Sequence, residues 1–330
     1  MWRCGGFEIG MSKFGVLVAW TNNVGDEIQT LASASLLPRV DCFLDRDRPV
    51  AVESCGVVKV IFNGWFTYRW RDWLPSDNVV PLFISFHLAP EFSEAFLGRG
   101  EVRRYLSRYG PVGARDLYTL AIMKRWGVES YFSGCITLTL GVSMRRLKRR
   151  SRGGYLLTAF QSPFFSKRVV DILGRRFDVV NVPYHQYGFS LWRSPIFGVW
   201  KYFGLNPSAL EEVVYWLDYP VARSVGLYRR FYSALLQLGL IANADLVITS
   251  RLHVALPAVG FGVPVVFVHD NLRDPRFWGL LDFVNPITPR KFLEMLESGF
   301  RVDGWEVRNW ERLEELRGDL VARVRDFVNS

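Results

Sequence analysis

Through the first half of the chain, short apolar runs alternate with stretches of helical period. "FGVLVAW" (Phe14–Trp20), "VVKVIFNGW" (Val57–Trp65) and "VVPLFISF" (Val79–Phe86) read as buried strands, and "VESYFSG" (Val128–Gly134) as a shorter one. Between them, "GDEIQTLASASLL" and "RDLYTLAIMKRWG" read as helices. The second carries Leu117, Leu120, Ala121 and Trp126 at helical spacing and stops at Gly127, a residue suited to a helix end. Strands alternating with helices predict a mainly parallel sheet covered on both faces.

"SMRRLKRRSRGG" (Ser143–Gly154) breaks the pattern with six basic residues, Arg145, Arg146, Lys148, Arg149, Arg150 and Arg152. It reads first as a solvated linker closed by a glycine pair, and second as a peripheral contact with an acidic membrane face. No aromatic interleaving or nucleic-acid motif accompanies it, so no nucleic-acid partner is expected. Beyond it the alternation resumes. "YLLTAF" (Tyr155–Phe160), "FDVVNVPY" (Phe177–Tyr184), "DLVITS" (Asp245–Ser250) and "VPVVFVH" (Val263–His269) read as strands. Ser208 to Ala244 looks helical with an interruption near Pro220. The stretch Trp310–Val328 forms a last helix with Leu313, Leu316, Leu320, Val324 and Phe327 on one face. The expected fold class is α/β, as two tandem Rossmann-like domains, 1–150 and 151–330. Their ligand cleft should lie between the carboxyl ends of the two sheets.

Composition changes this picture little. The chain has 330 residues, 49% hydrophobic and 22% charged, which suits a two-domain globular protein. No apolar run reaches the roughly 18 residues of a membrane span. Glu8 and Lys13 interrupt any leader-like region, and Met11 is a second candidate start. A cytoplasmic protein is expected, at most peripheral at the inner membrane face. Cys4, Cys42, Cys55 and Cys135 contain no C-x-x-C pair, so neither a zinc site nor a secreted disulfide framework is expected. The net charge is +9, and 34 of the 41 basic residues are arginine. Base composition explains that bias more readily than function does, but the balance still favours an anionic ligand over a cationic one.

The candidate chemistry lies at strand ends. "TNNVGDEIQ" runs from a polar turn into a helix. It can cradle a phosphate or a sugar on free N–H groups, or simply build the junction from Asn22, Asn23 and Asp26. Asp26 is expected to be the N-cap, with Gln29 completing a capping-box-like pair. Asn63-Gly64 ends a strand and permits close backbone approach. His87 follows a strand and reads first as a surface group. Asp116 should cap a helix, with Arg115 just outside it and able to meet an anion. Ser133, Gly134 and Thr137 offer hydroxyls and a glycine turn, and Cys135 reads as a packing residue rather than a nucleophile. In "TSRLHVALP", Ser250 should cap a helix whose first turn carries Arg251 and His253. Pro257 cannot donate to the His253 carbonyl, so the helix must start late or kink. Arg251 can grip a carboxylate or phosphate and His253 can move a proton. Both can equally bond to nearby backbone.

Together these strings resemble the polysaccharide pyruvyl transferase family. "NNVGDEIQ", "IFNGWF", "PLFISFHL", "VGARDLYTL", "FSGCITLTL", "VITSRLHVALPAVGFGVPVVFV" and "DPRFWGLLD" occur in that family's order, from about Gly15 to Asp282. The resemblance implies a two-domain fold like glycosyltransferase B. It also implies transfer of the enolpyruvyl unit of phosphoenolpyruvate onto two sugar hydroxyls as a ketal, with release of phosphate. The donor would meet Arg251, Leu252, His253 and Arg115, with Arg251 and His253 taking part in the chemistry. The acceptor would meet Asn22, Gly25, Asp26, Gln29, Asn63, Ser133 and Thr137. Such chemistry needs an acid, a base and cation clamps, without a metal or a cofactor other than the donor. Partners are then a small-molecule donor and a glycan acceptor. A nucleotide-sugar glycosyltransferase and a non-catalytic glycan-binding protein are the alternative readings. The stretch Pro183–Asn206 matches nothing in the family.

Overall fold

The computed structural model describes residues 12–19, 21, 23–51, 55–66, 69–148, 154–182 and 225–330, with backbone only at 225–229. The Pro183–Asn206 stretch, the interruption at Pro220 and both candidate start methionines lie outside them. So does the expected boundary between residues 150 and 151. Among the described residues no helix is long and apolar enough to cross a membrane.

The chain forms two parallel-sheet α/β domains. The first sheet holds β1 (Lys13–Val18), β2 (Cys42–Asp45), β3 (Val58–Trp65), β4 (Val79–His87), β5 (Val112–Ala114) and β6 (Ser130–Phe132) in the order β2-β1-β3-β4-β5-β6. The second holds β7 (Leu156–Ala159), β8 (Val179–Asn181), β9 (Leu246–Thr249), β10 (Val265–Val268) and β11 (Asn285–Ile287) in the order β11-β10-β9-β7-β8. Every pairing between these strands is parallel. The helices used below are α1 (Val24–Ala34), α2 (Pro90–Gly98), α3 (Gly100–Arg108), α4 (Leu117–Arg125), α5 (Leu140–Ser143), α6 (Pro163–Leu173), α7 (Val225–Asn243), α8 (Leu252–Gly260), α9 (Pro289–Glu297) and α10 (Trp310–Asn329).

The strand order fixes where ligands can bind. In each sheet the order reverses once, at β1/β3 in the first and β7/β9 in the second, and such switch points open a crevice at the carboxyl ends. The chain leaving β1 enters α1 at Val24, and the chain leaving β9 enters α8 at Leu252. Both polar segments singled out by sequence therefore sit at switch points.

The two domains share one core. Val16, Val24, Ile28 and Leu31 from the first domain belong to the same buried cluster as Phe231, Leu235, Val254 and Val259 from the second. The backbones nearly touch beneath it, since a Cβ on Gly260 would lie 3.2 Å from the Leu138 Cα. Helix α10 crosses back to the first sheet, where Lys59 Nζ donates to the Phe327 carbonyl at 3.1 Å. Its buried Arg317 donates to Leu138 O at 3.0 Å and to Gly260 O at 2.9 Å, joining both domains through one guanidinium. Arg230 of α7 adds an ion pair with Glu27 of α1.

Several local expectations change. The N-cap of α1 is Asn23, which accepts from Gly25 N; Asp26 lies one turn in and its carboxylate faces Arg46 instead. Ser250 does not cap α8. Its Oγ accepts from Gln161 N, and α8 starts at Leu252 with Pro257 inside it. The segment after Cys135 forms a 3₁₀ turn, Ile136–Thr139, that buries both Thr137 and Thr139. The first part of the basic block is ordered: Asn243 Nδ2 donates to Leu147 O and Lys148 Nζ to Phe261 O. Arg145 and Arg146 are exposed, while Arg149, Arg150 and Arg152 lie outside the described residues. Cys42 and Cys55 form a disulfide across a separation of 13 residues, a pairing that their spacing did not suggest.

Candidate functional site

At the junction of the two domains, the first turn of α1 meets the first turn of α8. A Cβ built on Gly25 would lie within 2.5 Å of His253 Cβ and Cγ, so only glycine lets the imidazole lie on that backbone. Two helix N-termini thus converge, each with N–H groups that have no intrahelical partner and a partial positive charge. That is the field an anion needs.

The surrounding charges reinforce it. Arg251 is buried at 7% exposure, with its backbone N–H held by Thr249 Oγ1 at 3.0 Å. Arg115 is buried at the end of β5 with 3% exposure; its Nε lies 3.5 Å from Asp116 Oδ2 and makes no hydrogen bond among the described residues. Arg46, just past β2, is buried too and pairs with Asp26 at 2.8 Å. Burial alone would lower the Arg46 pKa, but Asp26 and Asp47 hold it above its ordinary value.

His253 is partly buried as a residue, but its Nε2 is sealed and without a partner among the described residues. Burial, then the charge of Arg115, pulls its pKa down to about 3; Arg251 and Arg46 push the same way and Asp26 opposes them. The ligand-free imidazole is therefore neutral. An anion bound among these arginines would reverse that field and favour protonation.

The second feature is a buried dyad. His87 ends β4, with Nδ1 lying 2.5 Å from Asp116 Oδ2, and both side chains are fully buried. Asp116 also caps α4 as expected, accepting from Thr119 N at 2.9 Å through Oδ1. Burial, then Arg115, lowers the His87 pKa against the opposing pull of Asp116. Burial raises the Asp116 pKa, but His87 and Arg115 more than offset it and hold the group ionised. His87 is thus no surface residue. Its Nε2 is buried without a partner among the described residues, a state that costs about 1–3 kcal/mol.

A bulge aims His87. Phe62 pairs with Phe83, yet Gly64 pairs with Phe86, so β4 carries one extra residue and Ser85 adopts φ 57°. Phe83 and Phe86 consequently share one face, with ring centroids 5.7 Å apart in the aromatic core. The phase shift places His87 on the opposite face beside Trp65, at 5.3 Å.

The remaining candidates divide. Gly25, Asp26, Arg115, Leu252, Arg251 and His253 gather at the junction. Gln29 Nε2 donates to Gly25 O at 3.4 Å, and its Oε1 has no partner among the described residues. Asn63 ties β3 to α1, accepting from Ser33 Oγ at 2.8 Å and donating to Gln29 O. Ser133 Oγ accepts from Ser85 N and donates to Ala114 O, holding the bulge. Thr137 Oγ1 donates to Cys135 Sγ at 3.1 Å, and burial pushes that thiol above its ordinary range. The hydroxyls of Ser133 and Thr137 are therefore engaged inside the protein. Asn22 lies outside the described residues. Arg46 and the pairing of His87 were not foreseen: β2 is too short to announce Arg46, and only the fold brings His87 to Asp116.

The fold is that of a two-domain α/β protein, with Gly25 and His253 in contact where the switch points of its two sheets meet. The chain belongs to the polysaccharide pyruvyl transferase family, whose model matches residues 23–269. No curated protein matches it. Among solved structures, a UDP-N-acetylglucosamine 2-epimerase is similar at 10% identity over 97% of this chain and 95% of that one, TM-score 0.48. A functionally uncharacterised protein of Klebsiella pneumoniae is 14% identical over 84% and 92%, TM-score 0.43. The UDP-GlcNAc 2-epimerase of Methanocaldococcus jannaschii is 10% identical over 94% and 99%, TM-score 0.41. At this similarity nothing about reaction or substrate passes from those proteins to this one.

Proposed function

We propose that the protein transfers a pyruvyl group from phosphoenolpyruvate to a sugar of a cell-surface or lipid-linked polysaccharide, forming a ketal and releasing phosphate. The observation that carries this reading is the meeting of Gly25 and His253 under Arg115 and Arg251. A donor with a phosphate and a carboxylate suits two arginines and two helix N-termini. Bound there, it offsets the cations that keep His253 neutral. The imidazolium then donates a proton to the donor's methylene carbon, and Arg115 and Arg251 hold the charge of the phosphate and carboxylate. A sugar hydroxyl attacks the cationic centre that results. The acceptor would enter along the first domain by Asn22, Gly25, Asp26, Gln29 and Asn63, with Ser133 and Thr137 shaping the floor.

The test is phosphate release from phosphoenolpyruvate with a panel of glycans, read together with the mass of each glycan. The expected result is release coupled to a pyruvate mass gain on one acceptor class, lost in His253→Gln. Release that persists in that variant contradicts the role of His253. Binding of nucleotide sugars in place of phosphoenolpyruvate contradicts the reading itself.

A further inference from the structure

We propose that His87 is a second proton-transfer residue of this site, its Nε2 taking the proton of the attacking sugar hydroxyl while Asp116 positions it. The proposal rests on the pyruvyl-transfer reading and deepens it.

Four observations converge. Asp116 is fixed from two sides, with Oδ1 on Thr119 N and Oδ2 on His87 Nδ1. An ionised carboxylate only accepts, so Nδ1 carries the imidazole proton and Nε2 keeps its lone pair. That Nε2 is buried and has no partner among the described residues. The bulge at Ser85 turns the ring away from the aromatic core to the opposite side of the sheet, where it meets Trp65 edge-on at 5.3 Å. Finally, Arg115 Nε lies 3.5 Å from Asp116 Oδ2, so the dyad adjoins one of the two arginines assigned to the donor. The charged groups facing His87 are Arg115, Asp116 and Arg276.

The proton account closes. In the first step the hydroxyl oxygen bonds to C2 of the donor, its proton passes to His87 Nε2, and His253 gives a proton to C3. In the second, another hydroxyl of the same sugar bonds to C2 as the bond from C2 to the phosphate oxygen breaks. Phosphate leaves with the electron pair, His253 recovers a proton from that hydroxyl, and the proton on His87 departs with phosphate. A single histidine would have to give and take a proton in the same step.

The experiment uses the full chain with His87→Gln and Asp116→Asn. Calorimetry gives phosphoenolpyruvate affinity, and phosphate release is followed against pH with a methyl glycoside that gains a pyruvyl mass with the wild type. The expected result for His87→Gln is a kcat lowered by roughly a hundredfold or more, with donor affinity within about threefold. Asp116→Asn removes the anion that raises the His87 pKa, so the acidic limb of its pH–rate profile moves to lower pH. A purely structural role would not move that limb. A His87→Gln rate within about threefold of wild type overturns the assignment, as does an Asp116→Asn limb that stays in place. Loss of donor binding in step with rate does so too. Wild-type protein that neither binds phosphoenolpyruvate nor transfers from it overturns the underlying reading, and this assignment with it.

Discussion

Gly25 and His253 are separated by most of the chain, yet the imidazole of one lies against the backbone of the other. Each belongs to the first turn of a helix at the switch point of its own sheet. The contact therefore closes the junction of the domains at the place where each alone would bind a ligand. Gly25→Ala should lower phosphoenolpyruvate affinity at least tenfold and destabilise the fold by about 1–3 kcal/mol through overpacking. The double variant Gly25→Ala/His253→Ala should recover most of the stability but none of the activity. Urea unfolding and calorimetry on the four proteins of that cycle read both effects.

Stability should depend on pH through two neutral histidines. The folded pKa of His253 is lowered to about 3 and that of His87 is also lowered, so the unfolded chain binds more protons once pH falls below about 6.5. Their contribution is complete above that value and shrinks as pH falls through it toward about 3. Urea midpoints should drop from pH 7.5 to pH 5, and His253→Gln should show a smaller drop. An equal drop in both proteins would contradict the assignment.

Arg317 joins two carbonyls from different domains, Leu138 O and Gly260 O. Arg317→Met keeps the apolar stem but leaves both acceptors buried without it, at a cost of about 2–4 kcal/mol. Because one core spans the junction, unfolding should stay a single transition at a lower midpoint. Two separated transitions would show that the domains are coupled less tightly than their packing implies.

Ser85 holds φ 57° with a buried hydroxyl that has no partner among the described residues. Ser85→Gly should relieve that backbone and be neutral or stabilising by up to about 1 kcal/mol. Ser85→Val should destabilise by about 2 kcal/mol or more and reduce turnover, because the bulge aims His87. Thermal midpoints with parallel rate assays separate the two substitutions.

The alternation of apolar runs was enough to read β1, β3, β4, β7, β9 and β10, since each is a buried strand with little polar interruption, and it also marked the three-residue β6 and β8. It missed β2, β5 and β11, which are three or four residues long and carry no period of their own. Helices α2, α3, α6 and α9 were also unread, although Val102 and Leu106 of α3 and Phe292 and Leu296 of α9 already mark one buried face at helical spacing. In the site, Arg251 and His253 were legible from their place after β9, and Gly25 from the turn into α1. The contact between Gly25 and His253 was not, because it depends on how two sheets dock. His87 was misjudged for the same reason. Its partner Asp116 lies on another element, and a bulge that no local pattern announces decides which face the ring takes.

The central claim is that a polyanion bound between Arg115 and Arg251 turns His253 from a neutral base into an acid. Titration of phosphoenolpyruvate into the protein at pH 7, repeated in buffers of different ionisation enthalpy, tests it most directly. Saturable binding should take up about one proton per site in the wild type and nearly none in His253→Gln. Binding without proton uptake, or no binding at all, would contradict the account.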